Sequence, residues 1–335
     1  MKNRLMKGSL AALVSLLATN AMAAQEVTVY TAFETDILAK YKNAFEKENP
    51  DIKIKWVRDS TGIMTAKILA EKNNPRAEVV WGLAGSSMAL LKEQGILKPY
   101  TPKGLEQLNT SLNDPQSNQA WFGNDAYFNA VCFNEAVAKQ LNLPKPSSWQ
   151  DLTKPVYKGH IAMPNPASSG TGYMQVSAWL QNMGEDQAWD YMRDLDKNIA
   201  HYTHSGSKPC VQAGMGEVAI GISMASRGAK LKTQGAPLVV ITPKGIGWES
   251  EAVGLVKASE AAKRVVDWSI SKAANELYVE MYPVVAHKDV KAIASNFPNV
   301  EENMAKMDFA KMGSKRAEIL AMWSENFDSK SEPKS

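Results

Sequence analysis

The stretch richest in binding chemistry is Pro164-Asn165-Pro166-Ala167-Ser168-Ser169-Gly170-Thr171-Gly172-Tyr173. It offers the hydroxyls of Ser168, Ser169 and Thr171, the glycines Gly170 and Gly172, and no charge. Glycine lets the backbone come close to a ligand, hydroxyls donate, and the free N–H groups opening a helix carry the positive end of its dipole. Together these suit an oxyanion. They equally suit an ordinary N-capped connection. The apolar run Ile161-Ala162-Met163 before the stretch and the spacing of Met174, Trp179 and Leu180 after it predict strand, turn and helix in that order.

Four further turns share this character. Val27 to Tyr30, Ile52 to Val57, Glu78 to Trp81 and Ile199 to Tyr202 read as strands, each followed by a turn and a helical pattern. The turns begin at Thr31, Asp59, Gly82 and Thr203 and are rich in Gly, Ser and Thr. Successive βα units imply a parallel sheet with right-handed crossovers, and ligands bind beyond the carboxyl ends of such strands. The expected fold is α/β in two lobes, each a mostly parallel sheet flanked by helices, with a ligand cleft between. Residues 24–127 form the first lobe and 128–250 the second, entered through a buried strand at Tyr127 to Phe133. Residues 251–328 return to the first lobe and add C-terminal helices packing on both. The segment from Ser111 to Asp125 reads as surface loop, and residues 329–335 as a disordered tail.

Composition bounds the rest. Residues 1–23 read as a secretory signal: basic Lys2, Arg4 and Lys7, a short apolar core, then Ala21-Met22-Ala23. The mature protein is expected in the periplasm. Without those three residues the 38 Lys and Arg fall to 35 and match the 35 Asp and Glu. A neutral surface without basic runs argues against nucleic acid. No later apolar run approaches the ~20 residues of a spanning helix. The two cysteines, Cys132 and Cys210, read either as a disulfide or as two buried thiols.

The export signal, Val29-Tyr30-Thr31-Ala32, Phe45-Glu46, Asp59-Ser60-Thr61-Gly62 and Ala261-Ala262-Lys263 leading to Asp267-Trp268 together resemble the type II periplasmic solute-binding proteins of ABC transporters, in the iron(III)/phosphonate cluster. Trp56 to Gly62, His204 to Pro209 and Gly247-Trp248-Glu249 resemble the 2-aminoethylphosphonate-binding branch. The resemblance implies a monomer that captures a phosphonate by hinge closure and hands it to a membrane permease, with no cofactor and no metal. Ser168, Ser169, Gly170 and Thr171 are the expected phosphonate ligands, with Ser60, Thr61, Ser205 and Ser207 from the other turns. For the amine the acidic candidates are Glu34, then Glu249, then Asp59, with Phe33 and Trp248 as aromatic neighbours.

Phosphate and iron(III) are the alternative ligands. Iron-binding members of the cluster use adjacent tyrosines where this chain reads Gly221 to Arg227, and no tyrosine pair stands there, which counts against hard Fe(III). A phosphoester hydrolase is the rival class. The chain lacks G-x-S-x-G, and none of its four histidines is placed as a recognisable base. His201 and His204 diverge at a strand end, and Glu301-Glu302 reads as a solvated helix face.

Overall fold

A computed structural model describes residues 24–291 and 295–333. The signal-peptide expectation for 1–23 lies outside the described residues. The chain runs β1 (Gln25–Thr31), α1 (Thr35–Glu48), β2 (Ile52–Arg58), α2 (Thr61–Ala70), β3 (Val79–Ala84), α3 (Gly85–Glu93), β4 (Trp121–Asn134) and α4 (Glu135–Leu141). It continues with β5 (Ile161–Pro164), α5 (Gly170–Met183), α6 (Glu185–Asp196), β6 (Ile199–Thr203), α7 (Lys208–Met215), β7 (Ile220–Met224), α8 (Ala225–Thr233) and β8 (Leu238–Ile241). Last come β9 (Trp248–Leu255), α9 (Glu260–Ser269), α10 (Lys272–Tyr278), β10 (Val284–Val285) and α11 (Phe309–Phe327).

The expected parallel βα units form: β1 pairs parallel with β2 and β3, and β5 pairs parallel with β6 and β7. Two long strands join these sets. β9 runs antiparallel between β3 and β4, and β4 pairs with β9 through Trp121–Phe128 and with β7 through Asn129–Phe133. One strand therefore threads both lobes, and the fold is α/β with mixed sheets. The lobe limits read from the sequence, 127/128 and 250/251, fall inside β4 and β9.

Two readings change, and one left open is decided. Residues Trp121 to Asp125 are not surface loop but the buried start of β4, all of whose residues are buried. Covered on both faces, β4 loses the period-2 alternation that marks a half-exposed strand, and Asn124 and Asp125 disguise it further. Cys132 and Cys210 form a disulfide, because α7 packs on β4 and brings Cα atoms 78 residues apart in sequence to 5.3 Å. The tail is docked as far as it is described. Ser331 pairs with Tyr202, Asn165 donates to the Ser331 hydroxyl at 2.7 Å, and Glu332 accepts from His204 N–H at 3.1 Å. Polar composition suggested disorder, but these residues find polar partners on the loops of the second lobe.

Candidate functional site

The Pro164–Tyr173 stretch folds as strand, turn and helix. Asn165 closes the turn by accepting from Ala167 N–H at 2.7 Å, and Ser169 caps α5 by accepting from Gly172 N–H at 3.3 Å. The α5 dipole thus opens at Gly170 and Thr171. Close approach explains two glycines here: a Cβ on Gly170 would sit 2.6 Å from Thr61 Oγ1, and one on Gly206 would sit 2.3 Å from Thr171 Oγ1. From the first lobe, α2 opens at Thr61 with Ser60 at its cap. The two helix starts meet across the cleft, where Gly62 N–H donates to the Ser168 carbonyl at 2.8 Å. The lobes are closed upon each other.

Between them lies a cavity of about 30 Å³ lined by Glu34, Ser60, Thr61, Ser169, Gly170, Thr171 and Ser205 among the expected residues. Ala32, Arg58, Tyr127, Gly206, Met224 and Glu251 complete the lining. Ser168 is not brought in, because its hydroxyl donates to the His204 carbonyl at 3.1 Å and ties two second-lobe loops together. Ser207 bridges the lobes instead, donating to Glu34 Oε2 at 3.1 Å.

Charge enters from positions the sequence reading passed over. Arg58, the last residue of β2, donates its Nε–H to the Phe33 carbonyl at 3.0 Å, which holds the guanidinium against the cavity. Glu34 is already paired: Arg227 Nη2 lies 2.8 Å from Glu34 Oε2, and Lys230 lies 2.6 Å from Asp36. The leading amine candidate therefore spends its charge on an interlobe ion pair. Glu251 and Asp125 face each other in register on β9 and β4, both deeply buried. Burial pushes Glu251 up to about 8, and burial with the neighbouring Glu251 drives Asp125 well above the ordinary carboxylate range. Two facing carboxyls cannot both ionise cheaply when buried.

The remaining amine candidates lie elsewhere. Phe33 is fully buried, its ring 5.3 Å from Tyr41 and 6.0 Å from Tyr278, so it belongs to the core and not to the cleft. Glu249 is fully buried at the start of α3, accepting from Ser86 N–H at 2.9 Å, and burial pushes it up to about 7. Trp248 donates to the Ala305 carbonyl at 3.1 Å and packs edge-on against Phe309. Asp59 accepts from the adjacent Ser60 N–H at 2.7 Å. The available signal was charge within a buried strand, at Glu251 in β9; Arg58 ends β2, where Lys53 and Lys55 already make a cation ordinary. A larger groove of about 630 Å³ lies between α3 and α11, where Lys92 is bonded to Asp114 at 2.6 Å and the starts of α2 and α5 do not reach.

Residues 74–303 match the model for the family described as bacterial extracellular solute-binding protein. An uncharacterized protein of Haemophilus influenzae is 29% identical over 301 residues, covering 86% of this chain and 87% of its own. A probable ABC transporter periplasmic-binding protein of Sinorhizobium fredii is 31% identical over 144 residues, 42% of this chain and 39% of its own. A putative 2-aminoethylphosphonate-binding periplasmic protein of Salmonella typhi is 22% identical over 82% of this chain and 84% of its own. Among solved structures, the periplasmic binding protein AfuA from Actinobacillus pleuropneumoniae, with exogenous fructose-6-phosphate bound, superposes with a TM-score of 0.85 at 28% identity. That match covers 91% of this chain and 99% of AfuA. No helix among the described residues is long and apolar enough to cross a membrane. The chain belongs to the bacterial extracellular solute-binding proteins.

Proposed function

We propose that this protein captures a small organic solute carrying a phosphonate or phosphate head, 2-aminoethylphosphonate being the specific ligand, and delivers it to a membrane permease in the closed state. The observation that carries this reading is the convergence of two helix N-termini and one guanidinium, from α2, α5 and Arg58, on a single cavity. Each supplies donors without acceptors, and the three come from opposite sides, which suits a tetrahedral dianion with several oxygens. The phosphorus oxyanions of the AfuA complex and of the Salmonella relative are of the same class. Bare iron(III) is disfavoured, because Arg58 and the positive dipole ends repel a cation.

A ligand gripped by both lobes binds the closed form better than the open one, and that difference drives closure. Isothermal titration with 2-aminoethylphosphonate, fructose 6-phosphate, inorganic phosphate and ferric citrate tests the class. Binding of one or more organophosphorus compounds with compaction in small-angle scattering is expected. Binding of iron alone, or of none of the four, overturns the reading.

A further inference from the structure

We propose that Glu251 and Asp125 form the seat for a primary ammonium group at the end of the ligand remote from phosphorus. The inference rests on the organophosphorus reading above. It starts from a mismatch between the two carboxyls and their surroundings. They are direct cross-strand partners, Glu251 lines the cavity, and each is more than nine-tenths buried. Oδ1 and Oδ2 of Asp125 and Oε2 of Glu251 make no well-formed hydrogen bond, their near polar neighbours being each other and the Tyr282 hydroxyl. Facing like charges in a sheet are destabilising, and buried acceptors without donors are costly, so this arrangement awaits something positive and rich in donors.

A primary ammonium has three N–H donors, no acceptor and a compact charge, so it can bond Glu251 directly at the cavity wall, with Asp125 behind it adding to the negative charge of the pair. A sugar hydroxyl brings a single donor and no charge. The same cavity places Arg58 and the α2 and α5 starts within reach of the other end of a short molecule. A zwitterion with an anionic phosphorus head and a cationic tail is therefore complementary to the whole cavity, whereas the head alone leaves the acid pair unanswered.

A proton follows from this. The groups around Glu251 are Asp125 on β4, Tyr282 after α10, Glu34 before α1 and Arg58 on β2, while Tyr41 and Tyr278 face Asp125. Glu34 is neutralised by Arg227, and Arg58 lowers Glu251 without cancelling the effect of burial. With burial holding Glu251 up at about 8, the unliganded pair keeps a proton near neutral pH. An incoming ammonium replaces the charge that proton supplied, and the proton leaves to solvent.

The test compares 2-aminoethylphosphonate with ethylphosphonate, which shares the head and lacks the amine, by titration calorimetry at about pH 7 in two buffers of different ionisation enthalpy. Wild type should prefer the amine by about thirtyfold or more and release a fraction of a proton up to one, while ethylphosphonate releases none. Glu251→Gln should abolish preference and release together. Asp125→Asn, with the wild-type proton count, carries the test if Glu251→Gln fails to fold. Equal affinity for both phosphonates overturns the ammonium seat and leaves the phosphorus reading standing. Failure of every phosphorus compound overturns that reading instead. Tighter binding of fructose 6-phosphate than of 2-aminoethylphosphonate would assign the pair to hydroxyls and overturn the proposal.

Discussion

The two walls of the cleft are built by different means. The second-lobe wall is local: Ser169, Gly170 and Thr171 are consecutive, lie at one helix start, and offer neutral donors. The first-lobe wall is assembled from afar, with Arg58 at the end of β2, Thr61 at the start of α2 and Glu251 on a strand that returns about 190 residues later by sequence position. The neutral wall can cradle an oxyanion, but it cannot choose among oxyanions. Charge, and with it discrimination, comes from the wall that only the topology assembles.

The sharpest way to break this arrangement is to keep both walls and stop them meeting. A Cβ on Gly62 would lie 2.0 Å from the Ala167 carbonyl oxygen and 2.8 Å from that of Ser168, both across the cleft. Gly62 sits in the first turn of α2, where alanine is the better helix former by about 1 kcal/mol. Gly62→Ala should therefore leave the unliganded melting temperature unchanged or slightly higher. Affinity for every ligand should fall about a hundredfold or more, with no compaction in scattering. Wild-type affinity in this variant would show that the walls do not close along this line.

A pair of variants then weighs one wall against the other. Arg58→Met removes a cation that makes charge-assisted bonds worth roughly 1.5–3 kcal/mol, so affinity for organophosphorus ligands should drop about thirtyfold, with a weaker salt dependence. Thr171→Val keeps the shape and removes one neutral donor, for a loss of about tenfold or less. Thr171 is preferable to Ser169 for this purpose, because Ser169 also caps α5 and its loss would cost helix stability as well. A larger effect at Thr171 than at Arg58 reverses the comparison.

The division between the walls also decides what was legible in the sequence. Hydrophobic period and turn composition marked the βα units, and the Gly-Ser-Thr turns led directly to Ser60, Thr61, Ser169, Gly170, Thr171 and Ser205, all of which line the cavity. These signals are local, so a one-dimensional reading sees them. Glu34 and Glu249 were chosen because acids stand near turns; Glu34 does line the cavity but is held by Arg227, while Glu249 lies beneath α3. Proximity to a turn says nothing about which way a side chain faces. Asp125 and Glu251 required the register of β4 against β9, and Cys132 with Cys210 required α7 against β4; both are long-range facts.

Glu249 provides a control for Glu251, two residues along the same strand. Its carboxyl is raised to about 7 by burial, so the folded state holds a proton that the unfolded chain releases near the ordinary value of 4.5. The stabilising contribution is complete below about pH 4.5 and is lost as pH rises through about 7. Glu249→Gln should remove part of the decline in unliganded stability across this range, about 1–2 kcal/mol, measured by urea melts at pH 5 and 7. Ligand affinity should stay at the wild-type value, in contrast to Glu251→Gln. A loss of affinity in Glu249→Gln would mean that the buried acids of β9 act as one unit.

The smallest expected effect belongs to the rim. Arg227 on α8 reaches Glu34 at 2.8 Å and Asp36 at 3.4 Å, and its side chain and that of Glu34 are both largely buried by closure. This pair joins the lobes without being the phosphorus site, so it biases the open–closed equilibrium for every ligand alike. Partly buried, it is worth more than a solvated pair, but desolvation offsets part of the attraction. Arg227→Met should therefore weaken 2-aminoethylphosphonate and ethylphosphonate by the same factor, about fivefold, and leave their ratio untouched. Arg58→Met should show no such uniformity toward a ligand without a phosphorus head. If Arg227→Met instead changes the ratio between the two phosphonates, Glu34 once freed has become an ammonium partner, and the amine is read at the rim as well as at the base of the cleft.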